Sequence, residues 1–290
     1  MAPRPCGMAK SGPKIRTGPP KMRRLARSCL IALALFTSSP CTPSSRTEPG
    51  TLGVDLKLVL AVDVSSSMSP YEQRVQRDGY VNAFRNPSLA RAIGSGARGR
   101  VAVLYLEWAG PNYQHVVVPW TIIGSYADAS RFADALAIQP ICAQPGTSIS
   151  GALLSADALF AKSRTTAARH VIDISGDGPN NAGLPVASIR DRLTISGVTI
   201  NGLPLSLPHG RSNGFQSFGA DYLNLYYEHC VIGGPEAFVI GVDDLALFEA
   251  AIRRKLLLEI AGMPPLAKPV SYNPVGGPMF DCSMIGTTAR

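Results

Sequence analysis

The sequence predicts an α/β protein with a doubly wound, mainly parallel six-stranded sheet, one antiparallel edge strand and helices on both faces. Three observations lead there. From residue 54 onward, strand-like apolar runs alternate with helical patterns, as in a mainly parallel sheet. Several runs are nearly continuous in Val, Ile, Leu and Ala, which suits strands covered on both faces. One short turn, Gly110-Pro111-Asn112, joins two runs too closely for a helical crossover and makes them an antiparallel hairpin.

The first predicted strand, Leu56–Val62, ends in Asp63. Ser69-Pro70 reads as an N-cap followed by proline at the first helical position, opening a helix over Pro70–Asn86. Strands over Arg100–Trp108 and His115–Trp120 lead to a helix over Tyr126–Ile138. Gly146-Thr147-Ser148 precedes the helical pattern Ser148–Lys162. The strand His170–Ser175 then runs into Gly176-Asp177-Gly178. A helix Leu184–Ser196, a strand Val198–Leu205, a helix Ala220–Glu228, a strand Ala237–Gly241 and a helix Asp243–Ile260 complete the alternation. The domain spans 54–262, about 210 residues, enough for one sizeable core. Residues 43–53 read as a linker and 263–290 as a poorly ordered tail, both rich in Pro, Gly, Ser and Thr. No internal repeat is evident.

The chain carries 28 Lys plus Arg against 20 Asp plus Glu, a net charge of +8. That excess is confined to residues 1–42, where Arg4, Lys10, Lys14, Arg16, Lys21, Arg23, Arg24 and Arg27 occur without an acid. The remainder is formally neutral, which removes the main support for nucleic-acid binding. The apolar run Cys29–Phe36 follows the basic segment, and 1–42 reads as a secretory signal peptide, with Met22 an alternative start. Eight apolar residues fall short of the roughly 20 needed to span a bilayer. An exported protein, periplasmic or extracellular, is expected, with no membrane segment after processing. Ser38-Ser39-Pro40 is a poor match to a lipidation box before Cys41. Cys142, Cys230 and Cys282 can oxidise in that compartment. Cys142 with Cys230 is the preferred pair, and buried thiols are the alternative.

The stretch Val59-Leu-Ala-Val-Asp63-Val-Ser65-Ser-Ser67 carries the chemistry. An apolar strand ends there in an acid and two hydroxyls spaced two residues apart, oxygen ligands of the kind that suit Mg2+. Thr147 and Asp177 are placed to complete the set, because both lie where loops leave or enter regular elements. Each piece also has an ordinary reading: a serine turn, a helix cap, an Asp-Gly-Pro-Asn turn. Their joint occurrence at strand ends and before helices favours a metal.

Together Asp63, Ser65, Ser67, Thr147 and Asp177 resemble the metal-ion-dependent adhesion site of von Willebrand factor type A domains. The resemblance covers residues 54–262 and implies a sheet in which the hairpin strand is at an edge and the strands ending at Asp63 and Asp177 are neighbours. It implies direct ligation by Ser65 and Ser67, with Asp63, Thr147 and Asp177 direct or water-bridged. One departure is that Ser175-Gly176-Asp177-Gly178 stands where the family has Thr-Asp-Gly, and Asp173 is a competitor for the acid. Segments such as Ile174–Asn181, Ile200–Leu205, Tyr226–Gly234 and Lys255–Gly262 look like a family of exported bacterial type A-like proteins with no assigned ligand.

The expected function is capture of an acidic group, Asp or Glu, of a protein partner through bound Mg2+ or Mn2+. Catalysis is not expected, since no general base is evident beside the ligands. Alternatives are a hydrolase using the same metal or Ser212 of Gly210-Arg-Ser212-Asn-Gly214, and a structural envelope component. Ser212 lacks the strand–turn–helix context of a nucleophile elbow. Gly94-Ser-Gly96-Ala-Arg-Gly99 has the glycine spacing of a dinucleotide site but follows a helix, the reverse of the required order. The four histidines show no paired zinc-ligand spacing. Trp108, Asn112, Tyr113, Asn180, Asn181 and the loop Ser206–Gly219 are candidate partner contacts.

Overall fold

Strand β1 (Leu52–Asp63) lies at the centre of the sheet, between β2 (Val101–Trp108) and β4 (Thr165–Gly176), in a computed structural model that describes residues 51–206, 220–263 and 282. These residues belong to the unit Thr51–Arg290, which follows the unit Met1–Gly50. With β3 (Gln114–Ile123) and β5 (Val198–Pro204) the sheet order is β3-β2-β1-β4-β5. β1 pairs parallel with β2 and with β4, β4 pairs parallel with β5, and β2 and β3 form the antiparallel hairpin at the edge. The predicted fold class holds. The predicted leader 1–42, the residues Ser212 and His209, and the tail apart from Met263 and Cys282 lie outside the described residues.

Alternate residues of β1 serve two cores, as the period of a strand requires. Leu56, Leu58, Leu60 and Val62 join Tyr80 and Phe84 of α1 (Pro70–Arg85), Phe132 of α3 (Tyr126–Ala137) and Leu256 of α7 (Phe248–Ala261). Val59 and Ala61 join Leu153 of α4 (Ile149–Phe160), Ile189 of α5 (Val186–Ile195) and Leu223 of α6 (Ala220–Tyr226). Burial on both faces is why β1 reads as an unbroken apolar run.

Helix starts follow the capping chemistry in the sequence. Ser69 and Glu72 form a reciprocal capping box with Pro70 in the first turn. Helix α2 (Pro87–Gly94) departs from the prediction. Asn86 Oδ1 accepts the Ser88 N–H at 2.9 Å with Pro87 next to it. Asn-Pro-Ser was therefore a start signal hidden at the end of the preceding helix.

The predicted sixth strand is present as two parallel bridges to the β5 segment, Gly202 with Val239 and Leu205 with Val242. Two local features interrupt a ladder there. The Phe238 N–H is diverted to Asn201 Oδ1 at 3.1 Å, and Pro204 has no N–H to donate. The predicted helix Ala220–Glu228 ends at Tyr226 and continues as a π-helical turn over Tyr227–Val231. The preferred cysteine pairing is corrected: Cys230 is bonded to Cys282, with Cα atoms 5.5 Å apart, and Cys142 is disulfide-bonded independently of them. Sequence offered no means of choosing, because the pairing depends on where the chain after α7 returns.

Between α7 and the sheet sits a buried charged cluster. Lys255 Nζ lies 2.6 Å from Asp173 and 2.5 Å from Glu259, and Asn201 Nδ2 donates to Glu259 at 2.9 Å. Asp173 is thus committed to α7, which removes it as a competitor for the cation. Burial pushes the Asp173 and Glu259 carboxyls up, Glu259 to about 7, while Asp173 and Glu259 outweigh burial at Lys255 and keep it charged.

Two outcomes are expected. Because the folded-state pKa of Glu259 exceeds its unfolded value of 4.5, the folded chain holds the extra proton. Its contribution is full below pH 4.5 and is lost as pH rises through about 7. Glu259→Gln should flatten the fall in urea stability across that window. Replacing Cys230 and Cys282 together by Ala opens a closure of 52 residues. Chain entropy sets that loss at up to about 4 kcal/mol, read as a lower denaturant midpoint.

Candidate metal centre

Sheet topology brings the predicted acids together. The chain passes from β1 outward to β3, then returns to β4 on the other side of β1, so strand order reverses between β1 and β4. Ligands in open α/β sheets bind at such a switch point, beyond the carboxyl ends of the strands. Asp63 closes β1, and Asp177 follows the last residue of β4.

The turn after β1 is fixed by its own side chains. Asp63 Oδ1 accepts the Ser65 N–H at 2.7 Å. Ser65 Oγ and Ser67 Oγ are 2.8 Å apart, and Ser67 Oγ donates to Asp177 Oδ1 at 2.8 Å, across 110 positions of sequence. Ser65 Oγ reaches the same oxygen at 3.5 Å. Asp63, Ser65, Ser67 and Asp177 therefore form one hydrogen-bonded chain. Asp63 is fully buried, and its Oδ2 has no hydrogen-bond partner. Burial, and then the charge of Asp177, push its carboxyl well above the usual range, against hydrogen bonds from the Ser65 N–H, the Ser65 hydroxyl and the Asp177 N–H.

Thr147 is tied by its main chain to the loop that follows Asp177. Its N–H donates to Asn181 Oδ1 at 2.9 Å, and its carbonyl accepts the Asn181 and Ala182 N–H groups at 2.9 and 3.2 Å. The preceding loop is tied to the β1 turn by Ser66 N–H to the Gln144 carbonyl and Gln144 N–H to the Val64 carbonyl. Gly146 takes a φ of +85°, a left-handed conformation that favours glycine.

Sequence reading missed the amides of α1. Gln76 Nε2 donates to the Asp63 carbonyl at 2.8 Å while its Oε1 accepts Ser175 Oγ at 3.1 Å, and Gln73 Nε2 donates to the Ser65 carbonyl at 3.1 Å. They clamp the ends of β1 and β4 from one helix face. Their signal was polar residues three apart on a face the helical period turns inward.

Residues 53–264 match a family described as "Protein of unknown function (DUF1194)". The chain belongs to this family. No curated protein matches it. Among solved structures, the DUF1194 chain is similar to proximal thread matrix protein 1 from the mussel byssus, with 13% identity, 72% of this chain and 49% of that chain covered, and a TM-score of 0.52. The same mussel protein with a zinc-occupied MIDAS motif aligns at 15% identity, covering 72% and 48%, with a TM-score of 0.50. The pilus adhesin SpaC from Lactobacillus rhamnosus GG aligns at 13% identity, covering 72% and 31%, with a TM-score of 0.53. This chain thus spans about half the mussel protein and less than a third of the adhesin. At these identities the likeness establishes the fold alone, an α/β architecture with a mainly parallel central sheet and helices. Among the described residues no helix is long and apolar enough to cross a membrane.

Two of the candidate partner contacts are corrected. In the DUF1194 chain Trp108 is fully buried beneath the centre, and Asn180 is buried with its amide spent on the Ser150 N–H and the Leu184 carbonyl. Apolar bulk at the end of a strand and an amide after an acid serve the frame here. Asn112 is exposed, whereas Asn181 is engaged with Thr147. The loop Ser206–Gly219 lies outside the described residues apart from Ser206.

Gly176 is required by close packing. The position a Cβ would occupy lies 2.9 Å from Tyr227 Oη, 3.0 Å from Asp63 Oδ2 and 3.3 Å from Trp108 Cη2. Gly176→Ala must displace at least one of these groups. A loss of about 1–3 kcal/mol is expected from overpacking, read by urea denaturation in chelator.

Proposed function

We propose that this chain is an exported, metal-dependent protein-binding domain of the adhesion type. Asp63, Ser65, Ser67, Thr147 and Asp177 would hold Mg2+ or Mn2+, through which the domain captures an Asp or Glu side chain of a protein partner. The observation that carries this reading is the buried Asp63 Oδ2, which lacks a hydrogen-bond partner and stands beside a second acid at the switch point. Two nearby carboxylates in a buried setting repel, and a divalent cation is the counter-charge that relieves both.

The donor set fits such an ion. Mg2+ favours oxygen ligands and keeps part of its shell for water, so two acids and three hydroxyls suit it. When bound, the cation supplies a Lewis-acid position open to an outside carboxylate. Asp63 and Asp177 balance its charge, and the hydroxyls of Ser65, Ser67 and Thr147 orient without adding an anion. Asn181 and the α1 amides hold these groups in place, the role of outer-shell hydrogen bonds at metal sites. The zinc-occupied MIDAS motif of the mussel protein and the adhesin role of SpaC support the reading by fold analogy. The basic leader and its apolar run support export.

Calorimetry with Mg2+ and Mn2+ should register binding to the native chain. Asp63→Ala or Asp177→Ala should weaken it by more than roughly a hundredfold, beyond the loss typical of outer-shell changes. Protein recovered from envelope extract should then depend on the cation and on both acids. Recovery indifferent to chelator and to both changes would overturn the reading, as would esterase or phosphatase turnover abolished by Asp63→Ala or Ser212→Ala.

A further inference from the structure

Tyr227 packs into a slot between β4 and β5. Two glycines open it. A Cβ on Gly202 would lie 2.7 Å from Tyr227 Cδ1, and a Cβ on Gly176 would lie 2.9 Å from Tyr227 Oη. The ring passes over β5 and the hydroxyl ends at the carboxyl end of β4, where it donates to the Gly176 carbonyl at 3.4 Å. The same point that lies 2.9 Å from Oη lies 3.0 Å from Asp63 Oδ2, the oxygen without a partner.

The backbone that delivers Tyr227 is unusual. It starts the π-helical turn Tyr227–Val231, closed by the Ile232 N–H to the Tyr227 carbonyl at 2.9 Å and anchored by the Cys230–Cys282 disulfide. Single π turns in an α-helix are enriched at functional sites. With no side chain at Gly176, a group from a distant helix occupies the space beside the acid.

We infer that Tyr227 is a positioning residue for the proposed cation site, its phenol holding the Gly176 carbonyl, one residue before Asp177, in the orientation that brings Asp177 to the ion. This rests on the metal reading above. Tyr227 itself is not a ligand. Its hydroxyl acts on the main chain that carries Asp177, as outer-shell donors do at metal sites, where loss of one partner typically costs 10–100-fold in metal affinity.

The test uses Mn2+ and the full-length chain. Tyr227→Phe keeps the ring that fills the slot and removes only the hydroxyl. Its Mn2+ dissociation constant should rise roughly tenfold by calorimetry, with broader Mn2+ paramagnetic resonance lines and an unchanged thermal midpoint in chelator. Tyr105→Phe is the comparison, since Tyr105 is equally buried but lies in the other core, against Arg77. It should leave Mn2+ affinity unchanged. Native affinity in Tyr227→Phe, or an equal loss in Tyr105→Phe, would overturn the positioning role while leaving the metal reading intact. No Mn2+ binding by the native chain would overturn both, and that outcome is visible in the native titration alone.

Discussion

The pairing of β1 with β4 is the constraint on which the rest depends. Register matches Val62 with Ser175, which brings the end of β1 level with the start of the Asp177 turn. Two acids far apart in sequence then share one buried place at the switch point. Nothing local holds them there; β1 must be central and parallel to β4, and its apolar faces enforce that. The burial that builds the sheet is the same burial that raises Asp63, so stability and site chemistry share one cause.

Three loops are then fixed against one another by directional bonds. Helix α1 clamps the two strand ends with Gln73 and Gln76, Asn181 joins the Asp177 loop to Thr147, and Gln144 joins the Thr147 loop to the β1 turn. Amides suit this task because each offers both a donor and an acceptor. Gln76 uses both at once, to the Asp63 carbonyl and to Ser175. Ligating side chains held this way are preorganised, and local strain in one loop is passed to the others.

The sheet, the hairpin and the order of elements were legible because they rest on apolar period and turn chemistry, both local. Asp63, Ser65, Ser67 and Asp177 were legible as a set because each ends or follows a strand-like run. What escaped depends on long-range closure. The Cys230–Cys282 bond is set by the return of the tail, the bridges at Gly202 and Leu205 by a side chain that takes a backbone donor, and α2 by a cap masked within an adjoining helix. Trp108 and Asn180 misled for a related reason. Residue types suited to binding also suit a tightly packed frame, and burial alone decides between them.

β4 and the turn that follows it present two acids to two different solutions of the same electrostatic problem. Asp173 faces α7, where Lys255 comes within 2.6 Å and Glu259 and Asn201 complete the network. Four residues on, Asp177 turns to the opposite end of the problem, beside Asp63, in a setting made of hydroxyls and main-chain groups. Burial raises Asp63, and the neighbour whose charge acts on it is another acid. At Asp173 the chain supplies its own cation, and the cost of burying charge is offset within the fold. At Asp63 the chain supplies oxygen donors instead. A charge distribution of that kind is balanced by a cation from outside, which is the physical ground for the metal reading and for the contrast with Asp173 on the neighbouring strand.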